Sequence, residues 1–214
     1  MELKKFMYPE SINKKAALVL GKIEKSNIPA DFYLAGGTAL ALQLGHRQSI
    51  DLDWFSRLGF SNQQLKERLS AIGGLTLVNE EPGTLNGLLD DVRVSFLRYG
   101  YKQLFPLIPF GKINLADERD IAAMKISVAS SRGGRKDFID LFFLLKKYNF
   151  EELLIFFEQK YKNIEYNKLH ILKSLTYFDD AETEPMPKML IQTDWPTVKK
   201  TLQIEADKFL RNKR

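Results

Sequence analysis

The sequence predicts an α+β fold, with a small mixed sheet flanked by helices over residues 1–115 and a helical region over residues 116–214. Three observations lead there. Short apolar runs with period-two alternation cluster between Phe32 and Leu115, separated by Gly, Pro and Asp turns. From Ala116 onward the apolar residues recur at helical spacing instead. The chain has 214 residues, 44% hydrophobic and 12% aromatic, enough for one large domain or two small ones with a real core.

Residues Met1 to Pro9 read as an irregular entry. From Glu10, the apolar residues Ile12, Ala16, Leu18, Val19, Leu20 and Ile23 suit an amphipathic helix that ends near Asn27-Ile28-Pro29. Phe32 to Ala35 is a short buried strand stopped by Gly36-Gly37. Thr38 is an N-cap candidate for a helix over Ala39 to Gly45, where Gly45 is the stop. Ser49 to Phe55 follows as a strand, with Ile50, Leu52 and Trp54 facing a core. Ser61 caps a second helix that reaches Ile72. Leu75 to Glu80, Thr84 to Leu89 and Val92 to Tyr99 then read as strands, turned at Glu81-Pro82-Gly83 and Asp90-Asp91. Pro106 and Pro109 break the pattern before a short strand at Lys112 to Leu115. Asp117 caps a helix through Ser131, Arg132-Gly133-Gly134-Arg135 interrupts it, and helices follow at Lys136 to Tyr148 and Glu151 to Tyr161. Asn167 to Thr176 is helical, Phe178 to Pro187 is an acidic loop, and Trp195 to Phe209 is a final helix with Pro196 in its first turn.

Composition removes several kinds of chemistry. There is no cysteine, so disulfides, thiolate metal sites and cysteine nucleophiles are excluded. His46 and His170 are the only histidines, so a metal must be held by oxygen. A net charge of +5 is compatible with nucleic acid without establishing it. No stretch has the length of a membrane span and the N-terminus lacks the apolar core of a signal peptide, which makes a cytoplasmic protein the expectation.

The stretch Leu34 to Phe55 carries the first chemical grouping. Asp51 and Asp53 are two apart in a predicted strand, so their carboxylates share a face, and Ser49 shares it too. Two hard oxygen ligands side by side suit a divalent cation carrying a phosphate. Gly36-Gly37 lies at a strand-to-helix turn, where backbone N–H groups can approach a phosphate. An isolated D-x-D is equally compatible with the solvation of an exposed strand face.

The second grouping starts at Ala122, in AAMKISVASSRGGRKDFIDLFFLL. Lys125 sits on or beside the apolar face of its helix, either snorkelling or reaching a triphosphate as a point charge. Arg132, Arg135 and Lys136 surround Gly133-Gly134 and form either a solvated loop or a phosphate or RNA-backbone contact. Asp137 and Asp140 share a helix face three residues apart. Asp137 is the candidate for catalysis, and Asp140, able to pair with Lys136, for structure. Asp91, at the entrance of the strand Val92 to Tyr99, competes with Asp137 as a third carboxylate. His46 and His170 are read as structural. Arg47 is either a phosphate contact or an ion-pair partner, and the basic C-terminus, including Lys213 and Arg214, as a solvated helix end.

Taken together, G-G-T-A-L, H-R-x-S-x-D-x-D, M-K-x-x-x-A-x-x-R and K-D-F-x-D-L-x-x-L-L resemble the AbiEii-type, MenT-like nucleotidyltransferase toxins of the DNA polymerase β-like superfamily, over roughly residues 30 to 160. The resemblance implies a nucleotidyltransferase-like fold whose helical region completes the active site. It implies Mg²⁺- and NTP-dependent transfer of a nucleotide to RNA, at the 3′ end of tRNA, by the toxin of a toxin–antitoxin or abortive-infection pair restrained by a cognate antitoxin protein. It places the glycine motif on Gly36 and Gly37, and the serine and acidic residues on Ser49, Asp51 and Asp53. The lysine falls on Lys125 and the later aspartate on Asp137, and Arg132 and Lys136 are added as nucleotide contacts. The alternatives are a non-catalytic nucleic-acid- or partner-binding protein on the same scaffold, and a transferase acting on a protein or small molecule.

Overall fold

The computed structural model describes residues 7–26, 28 and 32–212. Parts of three expectations, the irregular entry, the end of the first helix at Asn27 and Pro29, and the basic residues Lys213 and Arg214, lie outside them. The chain divides into two compact units, one ending at Asp117 and the other beginning at Glu118.

The first unit is built on a seven-stranded mixed sheet. After a 3₁₀ turn at Pro9–Ser11, α1 (Lys14–Lys25) starts where Asn13 accepts the Ala16 N–H at 2.7 Å. β1 (Phe32–Ala35) leads directly into α2 (Gly36–Leu44), which closes on Gly45 in the left-handed conformation. β2 (Leu52–Ser56), α3 (Asn62–Ser70), β3 (Leu75–Glu81), β4 (Thr84–Leu89), β5 (Val92–Arg98), β6 (Ile108–Phe110) and β7 (Ile113–Leu115) follow. Their order across the sheet is β3-β4-β5-β2-β1-β7-β6. β2 runs antiparallel to β1 and parallel to β5, and β1 runs parallel to β7. Alternation packs Leu34, Leu52, Trp54, Val94, Phe96, Leu85 and Leu89 into the core on one face, where α1, α2 and α3 contact the sheet. Trp54 stacks on Phe96 with centroids 6.0 Å apart.

Four local expectations need correction. α2 begins at Gly36, so Thr38 lies inside the helix and is not its N-cap. Gly36 adopts φ +63°, which lets the chain turn from β1 into the helix two residues sooner than a side-chain cap would. The aspartate strand begins at Leu52, not Ser49, and Ile50 is 57% exposed. Ser49 instead forms an isolated parallel bridge with Ile12. Pro109 sits in β6, an edge strand paired only with β7, where a missing N–H costs nothing.

The second unit is helical: α4 (Glu118–Arg132), α5 (Arg135–Leu144), α6 (Phe150–Lys160), α7 (Lys168–Ser174), α8 (Asp179–Glu182) and α9 (Trp195–Asn212). α4 is buried without interruption from Asp120 to Ile126, and it packs on α5, α6 and α7. Within that core, Lys160 Nζ meets Asp120 Oδ1 at 2.7 Å with both side chains fully buried. Asn149 and Glu152 form a reciprocal capping box at the start of α6. The acidic stretch expected as loop contains the single helical turn α8. Among the described residues, no helix is long and apolar enough to cross a membrane.

Candidate functional site

In the first unit the chemistry converges on the start of α2. Ala35, at the N-cap, offers no side chain to the first-turn N–H groups. Neighbouring side chains crowd this turn, so a side chain at either glycine would have to push one of them aside. A Cβ on Gly36 would lie 2.8 Å from Asp53 Oδ2, and one on Gly37 would lie 2.5 Å from Arg47 Nη2 and 3.6 Å from Ser49 Oγ. Strand register explains the first contact, because Asp53 is the direct partner of Ala35. On its other side Asp53 is opposite Ser95 of β5, and Ser95 is opposite Asn86 of β4. The sheet therefore presents Asp53 on the face opposite Leu52 and Trp54, half-exposed beside the glycine turn.

Thr38 holds the other side of this arrangement together. From inside α2 its buried hydroxyl donates to the carbonyl of Asp51 in a short contact and shares a hydrogen bond with the Ser49 hydroxyl at 2.8 Å. Ser49 is pinned from the opposite direction by its N–H, which donates to the Ser11 carbonyl at 2.7 Å. Ser49 and Asp51 are thus fixed to the helix start before the strand begins. Arg47 is buried, with Nη1 donating to the Gln48 carbonyl at 3.2 Å. The structure brings Gly36, Gly37, Ser49, Asp51 and Asp53 together, with Arg47 and Thr38 among them. Sequence reasoning gave Thr38 a capping role. The signal it missed is the positive φ of Gly36, which moves the helix start upstream.

Asp91 lies elsewhere in this unit. Asp90 and Asp91 form the two-residue β4–β5 turn, both with positive φ, and the Asp91 carboxylate is 3.9 Å from Lys15 of α1. The left-handed turn breaks the alternation that would have set Asp91 on the face of Ser95. The Asp90 carboxylate accepts from Lys22 at 2.6 Å, which holds it below its ordinary value, with the Gly74 N–H adding to the effect.

In the second unit, Lys125 of α4 lies between two aspartates of α5. Its ammonium is 2.7 Å from Asp137 Oδ1 and 2.6 Å from Asp140 Oδ2, and all three side chains are at least nine-tenths buried. Asp140 is thus a partner of Lys125. The second oxygen of Asp137 accepts the Gly134 N–H at 3.2 Å, while the Gly134 carbonyl accepts the Asp137 N–H at 2.9 Å. Arg135 is taken up by structure, donating to the carbonyls of Ala181 and Glu182 and lying over Trp195. Arg132 and Lys136 are exposed. His170 approaches the Ser130 carbonyl at 3.1 Å.

Residues 18–115 match the protein family described as Nucleotidyl transferase AbiEii toxin, Type IV TA system. The chain belongs to the AbiEii nucleotidyltransferase toxin family. The matched segment runs from α1 to the end of β7 and includes the whole glycine and aspartate arrangement. As an AbiEii member the chain is a nucleotidyltransferase. An uncharacterized protein of Aquifex aeolicus is 33% identical over 211 residues, covering 94% of this chain and 98% of the relative. Two crystal structures from Helicobacter pylori share the fold. One is JHP933, with a TM-score of 0.56 and 18% identity over 94% of this chain and 92% of that one. The other is a candidate nucleotidyltransferase, with a TM-score of 0.57 and 17% identity over 94% and 99%. The AbiEii chain thus has the α+β, nucleotidyltransferase-like architecture expected from its sequence.

Proposed function

We propose that this nucleotidyltransferase uses Mg²⁺ and an NTP to add a nucleotide to an RNA acceptor, the 3′ end of tRNA, and that a cognate antitoxin protein restrains it in the cytoplasm. The observation that carries the reading is the glycine turn at the head of α2. Ala35 at the N-cap offers no capping side chain, a Cβ on Gly36 or Gly37 would push against Asp53 or Arg47, and Thr38 ties Ser49 and the Asp51 carbonyl to the same turn. That combination suits a phosphate chain that arrives with its own cation.

The donor set fits magnesium. Asp53 is half-exposed beside Gly36, and Asp51, also half-exposed, is held two residues before it through its carbonyl by Thr38. Mg²⁺ is commonly held by one or two carboxylates, with substrate phosphates and water completing its shell. Asp51 and Asp53 are the residues that would hold it, and the ion would supply positive charge to offset the negative charge developing on the leaving pyrophosphate. The N–H groups of Gly36 and Gly37 and the hydroxyl of Ser49 bind the phosphates. Arg132 and Lys136 add positive charge for the nucleotide. The acceptor hydroxyl attacks the α-phosphorus, the bond to the β-phosphate oxygen breaks, and pyrophosphate departs. Asp137 orients the attacking hydroxyl and takes its proton, and Lys125 holds that carboxylate in place. The roles of Lys125, Arg132, Lys136 and Asp137 rest on the sequence resemblance.

The test is incubation with each α-labelled NTP, Mg²⁺ and total RNA. Label is expected in RNA of tRNA size with the native chain and not with Asp51→Ala. No label in any RNA refutes the RNA acceptor. Label on a protein or small molecule would instead support a transferase with that substrate.

A further inference from the structure

At the start of α5 the first amides are taken by carboxylates. Gly134, at the N-cap, has no side chain with which to cap the helix. Its own N–H goes to Asp137 Oδ2. The next N–H, that of Arg135, donates at 2.7 Å to a carboxylate from 49 residues downstream, Glu184 Oε2. That carboxylate also presses on Gly134: a Cβ there would lie 2.8 Å and 2.9 Å from its two oxygens. Glu184 therefore acts as a cap supplied from a distant segment, and a side chain at Gly134 would push that carboxylate away.

Arg135 fixes the segment that carries Glu184. Its Nε donates to the Ala181 carbonyl at 3.0 Å and its Nη2 to the Glu182 carbonyl at 2.8 Å, while the guanidinium lies 4.9 Å above the Trp195 ring. Beneath it, Phe178 meets Phe138 edge-on at 4.9 Å and Trp195 at 5.7 Å. Phe138 follows Asp137 directly, and its ring excludes a Cβ from Gly133. The Gly133-Gly134 turn is thus clamped between an aromatic cluster and the Glu184 carboxylate. The orientation of Asp137 depends on this turn, since one carboxylate oxygen is bound to the Gly134 N–H and the other to Lys125.

We infer that Glu184 and Arg135 are positioning residues for nucleotidyl transfer: through the Gly134 peptide they set the Asp137 carboxylate that orients the attacking hydroxyl. The inference rests on the role proposed above for Asp137. A misplaced base loses rate and leaves NTP binding intact, so the effect belongs in kcat.

The experiment assays Glu184→Ala, Glu184→Gln and Asp137→Asn in the full chain with α-labelled NTP and RNA, alongside amide hydrogen exchange. Glu184→Ala is expected to lower kcat about tenfold with the KM for NTP unchanged. Exchange should accelerate at Gly134 and Arg135 while the rest of the helical unit stays protected. Glu184→Gln keeps an oxygen acceptor and is expected to restore most of the rate. Wild-type kcat in Glu184→Ala beside an impaired Asp137→Asn overturns the positioning role alone. Loss of protection throughout the helical unit, or Glu184→Gln as slow as Glu184→Ala, overturns it as well. Wild-type turnover in Asp137→Asn overturns the underlying assignment of Asp137, whatever the Glu184 variants do.

Discussion

Gly36→Ala is the sharpest test of the site at the head of α2. Two separate costs follow from the structure. At φ +63° an L side chain pays about 1–2 kcal/mol of backbone strain. The new Cβ would also lie 2.8 Å from Asp53 Oδ2, whereas ordinary contact begins at 3.4 Å. Relief therefore moves the carboxylate, or the helix start, by roughly 0.6 Å, and misplacement of 1 Å in a catalytic arrangement can cost on the order of a hundredfold. The expected result is at least about a tenfold fall in nucleotide transfer. A melting temperature lower by roughly 4–8 °C per kcal/mol should accompany it, as for a unit of about a hundred residues. Gly21→Ala is the matched control. Gly21 lies within α1 with nothing within 4 Å of its Cβ position, so that change should leave activity intact and raise stability by up to about 1 kcal/mol. Radiolabel transfer and thermal unfolding measure both variants. Native turnover and native melting in Gly36→Ala would refute the argument, since neither the strain nor the carboxylate contact could then be real.

Thr38→Val removes a buried hydroxyl that meets both Ser49 and the Asp51 carbonyl; a loss of about 1–3 kcal/mol in denaturant unfolding and slower transfer are expected, with Thr38→Ser close to native. Lys160→Met leaves Asp120 buried without its counter-charge, so stability should fall by about 3–5 kcal/mol while turnover per folded molecule holds. Adding Asp120→Leu should recover much of that loss, and no recovery would show that packing, not charge, sets the cost. The Asp90 carboxyl is depressed chiefly by its hydrogen bond from Lys22, so its contribution is present above the unfolded value of 3.8 and disappears as pH falls through the lowered folded value. Lys22→Met should flatten that part of the acid unfolding curve, and an unchanged curve would remove Lys22 as the cause.

The first grouping was legible because its residues are close in sequence. A glycine pair, a serine and two aspartates fall within twenty residues, and strand alternation and turn chemistry act over that range. What misled was also local. A hydroxyl after two glycines reads as a cap, yet a glycine free to take positive φ starts the helix earlier and turns Thr38 inward. Ile50 was assigned to the core by extending the strand backwards, but pairing with β5 begins only at Leu52. The second grouping shows a different limit. Lys125, Asp137 and Asp140 could each be picked out as charges on apolar helices. That one lysine holds both aspartates follows from how α4 packs on α5, which spacing within one helix does not specify. Glu184 was invisible for the same reason, since nothing near it in sequence points to Gly134.

The two glycine-led helix starts also separate two kinds of phosphate chemistry that the sequence treated alike. Both Gly36-Gly37 and Gly133-Gly134 invited an anion. At α2 the N-cap residue Ala35 has no capping side chain, and the Asp53 carboxylate lies beside Gly36, where a cation can join it to a phosphate. At α5 the Gly134 and Arg135 amides already bind the carboxylates of Asp137 and Glu184, and the Arg135 side chain is committed to Ala181, Glu182 and Trp195. A phosphate at α5 would have to displace a carboxylate and break the clamp that orients Asp137. On the function proposed above, the backbone contribution to nucleotide binding falls to α2. Any contribution from the α4–α5 turn must come from the exposed side chains of Arg132 and Lys136, acting as charges and not as part of a backbone cradle.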